Sequence, residues 1–307
     1  MVKNAAPATP SKNALIVGVS GQVGYQLLLH LYKSGQYKNI FGTYNYRAII
    51  LRISQDLNID AESMSSSNNI FRNRMEQRQS DYDEIYLPAY ITNVEKFNID
   101  DRDKINGYLK QIIEWSPKSK FIFYSTDYVF DEGEKVETDF PKPLNEYGLA
   151  KILMEHYILA NCKDPLIIRT SGVFGFDYQG KNFLYRLLAL KYGTNNSPIM
   201  APIDQYGSPT YSPDLVNKTI KLVERNASGI FHITGAENIN RYEFAMRICD
   251  KFKIDKNKIY GVTTKSLEQK QLRPLQLKLI TKKAEKYLGE KMIDINKALN
   301  AFKTIKE

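Results

Sequence analysis

The sequence is poor in cysteine and has no long apolar run, and each shortage excludes a class of protein. The only two cysteines, Cys162 and Cys249, cannot build a disulfide framework and are typical of a reducing cytoplasm. No apolar run approaches the ~18 residues that a membrane-spanning helix needs. The segment Met1–Lys12 is polar and lacks an apolar signal core, so we interpret it as a short frayed tail. We therefore expect a cytoplasmic protein without a membrane partner.

Histidine is also scarce, which argues against a metal centre. His30, His156 and His232 are the only three in the chain, and none has metal-ligand spacing with a cysteine or an acid. We predict no metal site and a structural role for each. His232 falls within a predicted strand and could at most line a cleft.

The formal net charge of +9 is concentrated at one end of the chain. Residues 251–307 contain 15 Lys or Arg and 6 Asp or Glu, an excess as large as that of the whole protein. The lysines are spread over helical patterns and have no interleaved stacking aromatics, so a nucleic-acid partner is disfavoured. We interpret this region as a solvated basic face that helps to attract phosphorylated ligands.

Short apolar strands alternate with helical stretches over the first two-thirds of the chain, a pattern that predicts a parallel sheet covered on both faces. The predicted strands are Ala14–Val17, Asn39–Tyr44, Glu84–Leu87, Lys120–Ser125, Leu166–Arg169 and Gly229–Ile233. The predicted helices are Gln22–Tyr32, Asp103–Trp115, Tyr147–Ala160, Asn182–Leu190, Pro213–Arg225 and Arg241–Phe252.

This order predicts an α/β fold, a Rossmann-type doubly wound parallel sheet with a smaller C-terminal substrate-binding subdomain. Residues 1–172, completed by about residues 212–235, are expected to bind the nucleotide, and residues 173–307 mainly the substrate. Within residues 48–80 we expect a strand near Leu57–Ile59 and a helix near Phe71–Arg78, separated by the polar interruption Ser65–Asn69.

A glycine-rich turn, Gly18-Val-Ser-Gly21-Gln-Val-Gly24, joins the first predicted strand to the first helix. Its spacing allows a tight turn, close approach of the backbone to a pyrophosphate, and phosphate binding at a helix N-terminus. A glycine-rich turn without a ligand is the plainer alternative. The residues predicted to contact the cofactor here are Gly18, Ser20, Gly21, Gln22, Val23 and Gly24.

The end of the second strand indicates which dinucleotide binds. An NAD site usually has an acid there for the ribose 2′-hydroxyl, whereas this chain has Gly42-Thr-Tyr-Asn-Tyr-Arg47 and no acid. Arg47 could pair with a 2′-phosphate, which favours NADP, unless it is simply an exposed loop arginine.

Tyr147 and Lys151 are spaced i, i+4 on a predicted helix and should project from one face. A nearby ammonium favours the phenolate, so we expect Lys151 to lower the pKa of Tyr147 toward the useful range. Ser125-Thr126 closes a buried strand upstream and should face the ligand crevice. A lone Y-x-x-x-K is usually a surface pair, but together with the glycine turn and the strand-end hydroxyl it indicates a catalytic site.

At these residues the chain resembles the extended short-chain dehydrogenase/reductase family and, within it, the dTDP-4-dehydrorhamnose reductases. The resemblance extends over residues 14–279. It is sharpest at Ser125-Thr-Asp-Tyr-Val-Phe-Asp131, Pro143-Leu-Asn-Glu-Tyr-Gly-Leu-Ala-Lys151, Arg169-Thr-Ser171 and Gln205-Tyr-Gly-Ser-Pro-Thr-Tyr-Ser-Pro-Asp214, and weaker at Ala89–Glu95 and Arg273-Pro274.

The resemblance implies NADPH-dependent reduction of the C4 ketone of a nucleotide-activated 4-keto-6-deoxy sugar. It implies Thr126, Tyr147 and Lys151 as the catalytic triad, with Tyr147 as the proton donor, and cofactor contacts at Ala89, Tyr147 and Lys151. The substrate residues that it implies are Thr126, Asp127, Tyr128, Asn182, Gln205, Ser208, Thr210 and Arg273. A homodimer is compatible with the sequence, which specifies no oligomeric interface.

Neighbouring activities on the same scaffold remain open. Sugar-nucleotide 4,6-dehydratases carry Asp-Glu after the threonine, whereas here Asp127 is followed by Tyr128, so reduction is favoured over water elimination. Gly172 stands where rhamnose-forming reductases often have Trp, and the turn after the fourth strand reads Leu87-Pro-Ala-Tyr90. The alternatives are a bifunctional epimerase/reductase and a non-catalytic NADP-binding subunit resembling the methionine adenosyltransferase regulatory subunit.

Overall fold

The computed structural model describes residues 11–44, 65–66, 82–88, 94 and 99–306. The strand predicted near Leu57–Ile59 and the helix predicted near Phe71–Arg78 lie outside these residues. The prediction that Ser65–Asn69 interrupts the regular structure is wrong at its first two residues. Ser65–Ser66 forms a short strand that pairs with the second strand of the sheet. The predicted tail also ends earlier than expected, because the first strand begins at Lys12.

The strands are numbered in chain order. They are β1 (Lys12–Val17), β2 (Tyr37–Tyr44), β3 (Ser65–Ser66), β4 (Glu84–Leu87), β5 (Lys120–Thr126), β6 (Gly133–Lys135), β7 (Leu166–Thr170), β8 (Val173–Phe174), β9 (Ile199–Pro202), β10 (Tyr206–Gly207), β11 (Thr210–Tyr211), β12 (Gly229–His232), β13 (Ile239–Asn240), β14 (Ile259–Val262) and β15 (Leu277–Leu279).

The α-helices of the described chain are numbered in the same way. They are α1 (Gln22–Ser34), α2 (Ile99–Trp115), α3 (Glu146–Asn161), α4 (Phe183–Lys191), α5 (Ser212–Glu224), α6 (Arg241–Phe252), α7 (Lys282–Leu288) and α8 (Ile295–Lys306). None of them is both long and apolar enough to cross a membrane.

Seven parallel strands form the central sheet, in the order β3-β2-β1-β4-β5-β7-β12. The chain builds outward from β1 in one direction and then returns to build outward from β4 in the other. The carboxyl ends of β1 and β4 therefore flank a crevice, which is where ligands bind in open α/β sheets. This topology confirms the predicted Rossmann-type fold.

Alternate residues of each central strand face opposite layers of helices, as the two-residue period of a strand requires. On β5, Phe121 and Phe123 pack with the apolar faces of α2 and α3. Ile122 and Tyr124, between them, pack with α1, α5 and α7. Both faces of the sheet are thus buried, which explains why its strands are nearly continuous apolar runs.

A second apolar core lies beyond the sheet and unites β9, β14, α4, α6 and α8. Phe244 on α6 packs in this core against Phe174 and Phe183, with ring centroids 5.1 and 5.9 Å apart. Helix α7 does not join it, because Ala284 and Leu288 pack with the sheet. The last part of the chain therefore contributes to both lobes.

Candidate active site

The glycine turn begins at the carboxyl end of β1 and brings α1 close to the strand. Gly18 has a φ of +89°, and its N–H and that of Val19 both donate to Thr43 O at 3.1 and 2.8 Å. A Cβ on Gly24 would lie 2.2 Å from Gly18 O, so only glycine permits this helix-to-strand approach. The end of β4 is adjacent, since Pro88 O would lie 4.0 Å from a Cβ on Gly18.

Helix α1 begins without a side-chain cap and without an acidic residue in its first turn. Its first N–H groups and the positive end of its dipole therefore remain available for an anion at the crevice. The turn fits a dinucleotide phosphate on this ground. The structure brings together Gly18, Ser20, Gly21, Gln22, Val23 and Gly24, whereas Arg47 and Ala89 lie outside the described residues.

Three side-chain hydrogen bonds connect the glycine turn to residues 179–212. Gln179 donates from Nε2 to Ser20 O, Asn182 donates from Nδ2 to Gln22 Oε1, and Gln22 donates from Nε2 to Ser212 Oγ, each at 3.3 Å. Asn182 was predicted to contact substrate. The structure uses it as the cap of α4, where its Oδ1 accepts from Tyr185 N at 3.2 Å.

The catalytic residues implied by the resemblance meet at the carboxyl end of β5. Asn145 caps α3 by accepting from Gly148 N at 2.8 Å, which orients the first turn that carries Tyr147. The hydroxyl of Tyr147 is hydrogen-bonded to Thr126. Lys151, four residues later, lies with its Nζ 5.9 Å from the Tyr147 ring centroid and donates to Tyr124 O at 3.0 Å.

The protonation of this group differs from the sequence-based expectation. Burial raises the pKa of Tyr147, and the neighbouring Asp127 and Tyr128 raise it further, against the hydrogen bond to Thr126. The expectation that the pKa of Tyr147 falls below its usual value is wrong, because burial dominates. Burial also lowers the pKa of Lys151 to about 8. Tyr147 therefore remains protonated at neutral pH.

Asp127 is hydrogen-bonded to the Thr126 hydroxyl. Its carboxylate accepts from Thr126 Oγ1 at 3.0 Å and from Ser171 Oγ at 2.5 Å, and burial raises its pKa. Tyr128 donates its backbone N–H to Thr126 Oγ1 at 3.2 Å and presents its ring edge-on to Tyr147, with centroids 6.4 Å apart. Thr126 is thus fixed by its two chain neighbours.

The predicted substrate loop, residues 205–210, is anchored to the same cluster. Thr210 is 1% exposed and donates from Oγ1 to Ser171 O at 2.6 Å, and Ser208 is also buried. Gln205 donates from Nε2 to Gln269 Oε1 at 2.8 Å, while its carbonyl accepts from Arg241 N at 3.1 Å. Thr210 and Ser208 therefore shape the loop from its buried side.

Arg241 and Arg273 lie near Tyr128, and Arg186 lies near Arg241. Sequence reasoning named only Arg273. Arg241, the first residue of α6, lies 5.0 Å from the Phe183 ring centroid. Burial lowers its pKa, as do the charges of Arg273 and Arg186, against the opposing effect of Tyr128 and Asp127. No sequence pattern links Arg186 and Arg241, which only the packing of α4 against α6 brings together. The result is a positive cluster beside Tyr128.

The described residues contain no group of three or more His, Cys, Asp or Glu side chains that could hold a metal ion. His232 does not line the cleft. It is fully buried, with its ring edge-on to Phe130 at 6.1 Å.

The chain is similar to a family model and to named proteins over much of its length. The model of the RmlD substrate binding domain family matches residues 12–306. The spore coat polysaccharide biosynthesis protein SpsK of Bacillus subtilis is 29% identical over 275 residues, 85% of this chain and 86% of that protein. A dTDP-4-dehydrorhamnose reductase of Aggregatibacter actinomycetemcomitans is 37% identical over 142 residues, 43% of this chain and 47% of that protein.

The fold is similar to that of a solved enzyme over its full length. The crystal structure of dTDP-4-dehydrorhamnose reductase from Bacillus anthracis in complex with NADP superposes with a TM-score of 0.75. It covers 97% of this chain and 100% of that chain at 23% identity, a similarity that establishes the architecture alone.

Proposed function

The chain belongs to the RmlD substrate binding domain family, and we propose that it is an NADP-dependent oxidoreductase that reduces the C4 ketone of a nucleotide-activated 4-keto-6-deoxy sugar. The observation that carries the proposal is the meeting of Thr126, Tyr147 and Lys151 at the carboxyl end of β5. The uncapped start of α1 lies at the same edge of the sheet. Dinucleotide binding and proton donation are thus served by one crevice.

The chain's own residues supply orientation and the proton. NADPH, when bound, supplies the hydride that reaches the ketone carbon. Thr126, hydrogen-bonded to the Tyr147 hydroxyl, positions that hydroxyl at the ketone oxygen, and Tyr147 donates its proton to the oxygen as negative charge develops. Lys151 stabilises the phenolate that remains. The residues that would hold the dinucleotide phosphates are those of the Gly18–Gly24 turn.

The arginine cluster fits a substrate that carries a diphosphate. Arg241 has no ion-pair partner among the described residues, and Arg273 and Arg186 add positive charge around it. Positive charge gathered around a partly buried Arg241 favours binding of an anion, and guanidinium groups bind phosphate oxygens in a bidentate manner. The named reductases among the relatives act on dTDP-linked sugars, which carry such a diphosphate.

The surroundings of Asp127 favour reduction over water elimination. Its carboxylate accepts two hydrogen bonds, from Thr126 and Ser171, and the next residue is Tyr128 instead of a second acid. An elimination needs an acid and a base that both reach the sugar. Asp127 instead orients Thr126.

The compartment is also part of the proposal. We place the reaction in the cytoplasm, because Cys162 and Cys249 are free thiols and a dinucleotide reductant is found there. Burial raises the pKa of both thiols, which makes them unreactive.

The test is NADPH oxidation, followed by absorbance, with a panel of dTDP-, UDP- and GDP-linked 4-keto-6-deoxy sugars. We expect turnover with at least one nucleotide. Tyr147→Phe should reduce kcat by at least about 100-fold, because general acid catalysis typically contributes 10²–10⁴-fold. Tyr157→Phe, on the same helix and remote from Thr126, is the matched control and should retain activity.

Each alternative has its own outcome. Wild-type protein that binds NADPH in a fluorescence titration but oxidises it with no sugar would replace the proposal with a binding subunit. Solvent deuterium found by mass spectrometry on the carbons beside the ketone would add epimerisation to the reduction. Activity that persists in Tyr147→Phe would refute the assigned proton donor.

A further inference from the structure

One turn beyond Lys151, helix α3 carries a carboxylate that the mechanism does not use. Glu155 is fully buried, and Lys151 is 3% exposed. Tyr147, Lys151 and Glu155 follow each other at intervals of four residues, so they form one row on a single face of the helix. The catalytic tyrosine therefore stands at one end of a buried row, and a carboxylate stands at the other.

Arg169 on β7 holds this carboxylate in one orientation. It donates from Nε to both Glu155 oxygens at 3.1 and 3.2 Å, and from Nη2 to Oε2 at 2.6 Å. The guanidinium is itself 1% exposed and lies 4.9 Å from the Phe130 ring centroid. Apolar residues often stabilise a core as well as a buried ion pair does, so stability alone is a weak reason for this one.

Unlike Glu155, Lys151 is a buried charged group without an ion-pair partner among the described residues. No carboxylate of the described residues lies within ion-pairing distance of its Nζ, which has the Tyr124 carbonyl at 3.0 Å and the Phe123 ring centroid at 4.7 Å. Burial alone favours the neutral amine. Glu155 acts against burial, since its charge raises the pKa of Lys151.

Other titratable groups border this face of α3. They are Tyr147 on the helix itself, Asp127 and Tyr128 after β5, Arg169 on β7 and His232 on β12. Burial lowers the pKa of His232 to about 3, so it is neutral at physiological pH. Of the groups around Lys151, Glu155 is the one whose charge acts on its pKa.

We propose that Glu155, clamped by Arg169, is a positioning residue that keeps Lys151 charged at its place beneath Tyr147. This inference deepens the proposed function and rests on it for its kinetic consequence. A charged Lys151 stabilises the phenolate left by proton donation. Turnover should therefore end at alkaline pH, where Lys151 loses its positive charge. Removing the Glu155 carboxylate should therefore make Lys151 lose its proton, and the enzyme its turnover, at a lower pH.

The kinetic test compares pH profiles of kcat in wild type, Glu155→Gln and Glu155→Asp. We expect the alkaline limb of Glu155→Gln to move down by about one pH unit, a shift typical of losing one nearby opposite charge. Turnover near pH 8, the pKa of Lys151, should then fall about fivefold relative to wild type, with little change near about pH 6. Glu155→Asp should restore most of the limb.

The matched control is Asp214→Asn on α5, which removes the carboxylate that pairs with the buried Lys218 at 2.7 Å. It should lower stability without moving the limb. Glu155→Gln/Arg169→Met removes both members of the pair and keeps the test available if Glu155→Gln alone does not fold. A uniform loss of turnover with an unmoved limb would show that Glu155 is merely structural.

A second readout does not depend on turnover. In protein labelled with ¹³C at lysine Cε, the Lys151 signal is assigned by its absence in Lys151→Met and is then titrated. Glu155→Gln should lower its midpoint by about the same one pH unit. An unchanged midpoint overturns the inference, whereas a shifted midpoint with no turnover on any sugar overturns the proposed function alone.

Discussion

Gly148 is the point of closest approach between α3 and the turn that follows β5, and it offers the sharpest mutational test of the site. A Cβ at this position would lie 2.1 Å from Tyr128 O and 2.9 Å from Pro143 Cβ. Ordinary van der Waals contact begins at 3.4 Å, so the first turn of α3 must withdraw by 1.3 Å, the difference between 3.4 and 2.1 Å. Backbone atoms form this obstacle, and a rotamer change cannot relieve it.

This displacement moves Tyr147 away from Thr126. Tyr147 directly precedes Gly148, and Thr126 lies on the other side of the contact. A misplacement of about 1 Å can cost 10²-fold in rate. We therefore expect Gly148→Ala to lower kcat about 100-fold. Overpacking should cost about 1–3 kcal/mol of the free energy of unfolding, partly offset by the higher helix propensity of alanine.

The assay is kcat from NADPH oxidation, with the free energy of unfolding from urea titration. Gly107→Ala on α2 is the matched control, because no heavy atom lies within 4 Å of its added Cβ. It should stabilise the protein by up to about 1 kcal/mol and leave kcat unchanged. A Gly148→Ala enzyme with kcat within about threefold of wild type, equivalent to less than ~1 kcal/mol in the barrier, would refute the reasoning.

Two further changes test other parts of the structure. Gly24→Ala would place a Cβ 2.2 Å from Gly18 O and should weaken NADPH binding by at least about tenfold in a fluorescence titration; wild-type affinity would contradict a rigid turn. His232 has a pKa of about 3 in the fold and 6.5 when unfolded, so the unfolded state binds the proton first and stability falls as pH falls below 6.5. His232→Leu should remove about 2 kcal/mol of the stability lost by wild type between pH 6.5 and about pH 5, and an unchanged pH dependence would contradict the assignment.

The sheet and the glycine turn were predictable because their causes are local in the sequence. Strands buried on both faces leave continuous apolar runs, such as Phe121–Tyr124, and the helix Arg241–Phe252 was predicted with its observed limits. Two-residue strands such as β8 and β10 have no pattern of their own, since their pairing depends on distant segments. Strand β3 lies in a serine-rich stretch that propensity assigns to a loop.

The electrostatics of the site could not be predicted from spacing. The i, i+4 relation of Tyr147 and Lys151 was correct, yet the direction of the tyrosine pKa shift was wrong, because burial is a tertiary property that outweighs the effect of the ammonium. Arg186 and Arg241 escaped notice for the same reason. Their charges meet Arg273 only after α4, α6 and the loop before β15 have packed.

Helix α3 also connects Tyr147 to the arginine cluster. Its cap, Asn145, uses both ends of one amide, since Oδ1 accepts from Gly148 N while Nδ2 donates to Leu272 O at 2.8 Å. The carbonyl of Leu272 immediately precedes Arg273, which belongs to the positive cluster. An anion that draws Arg273 toward itself thus acts through one amide on the turn that carries Tyr147. Under the proposed function, Asn145 is therefore the link through which an anion bound at Arg273 can align Tyr147 with the ketone.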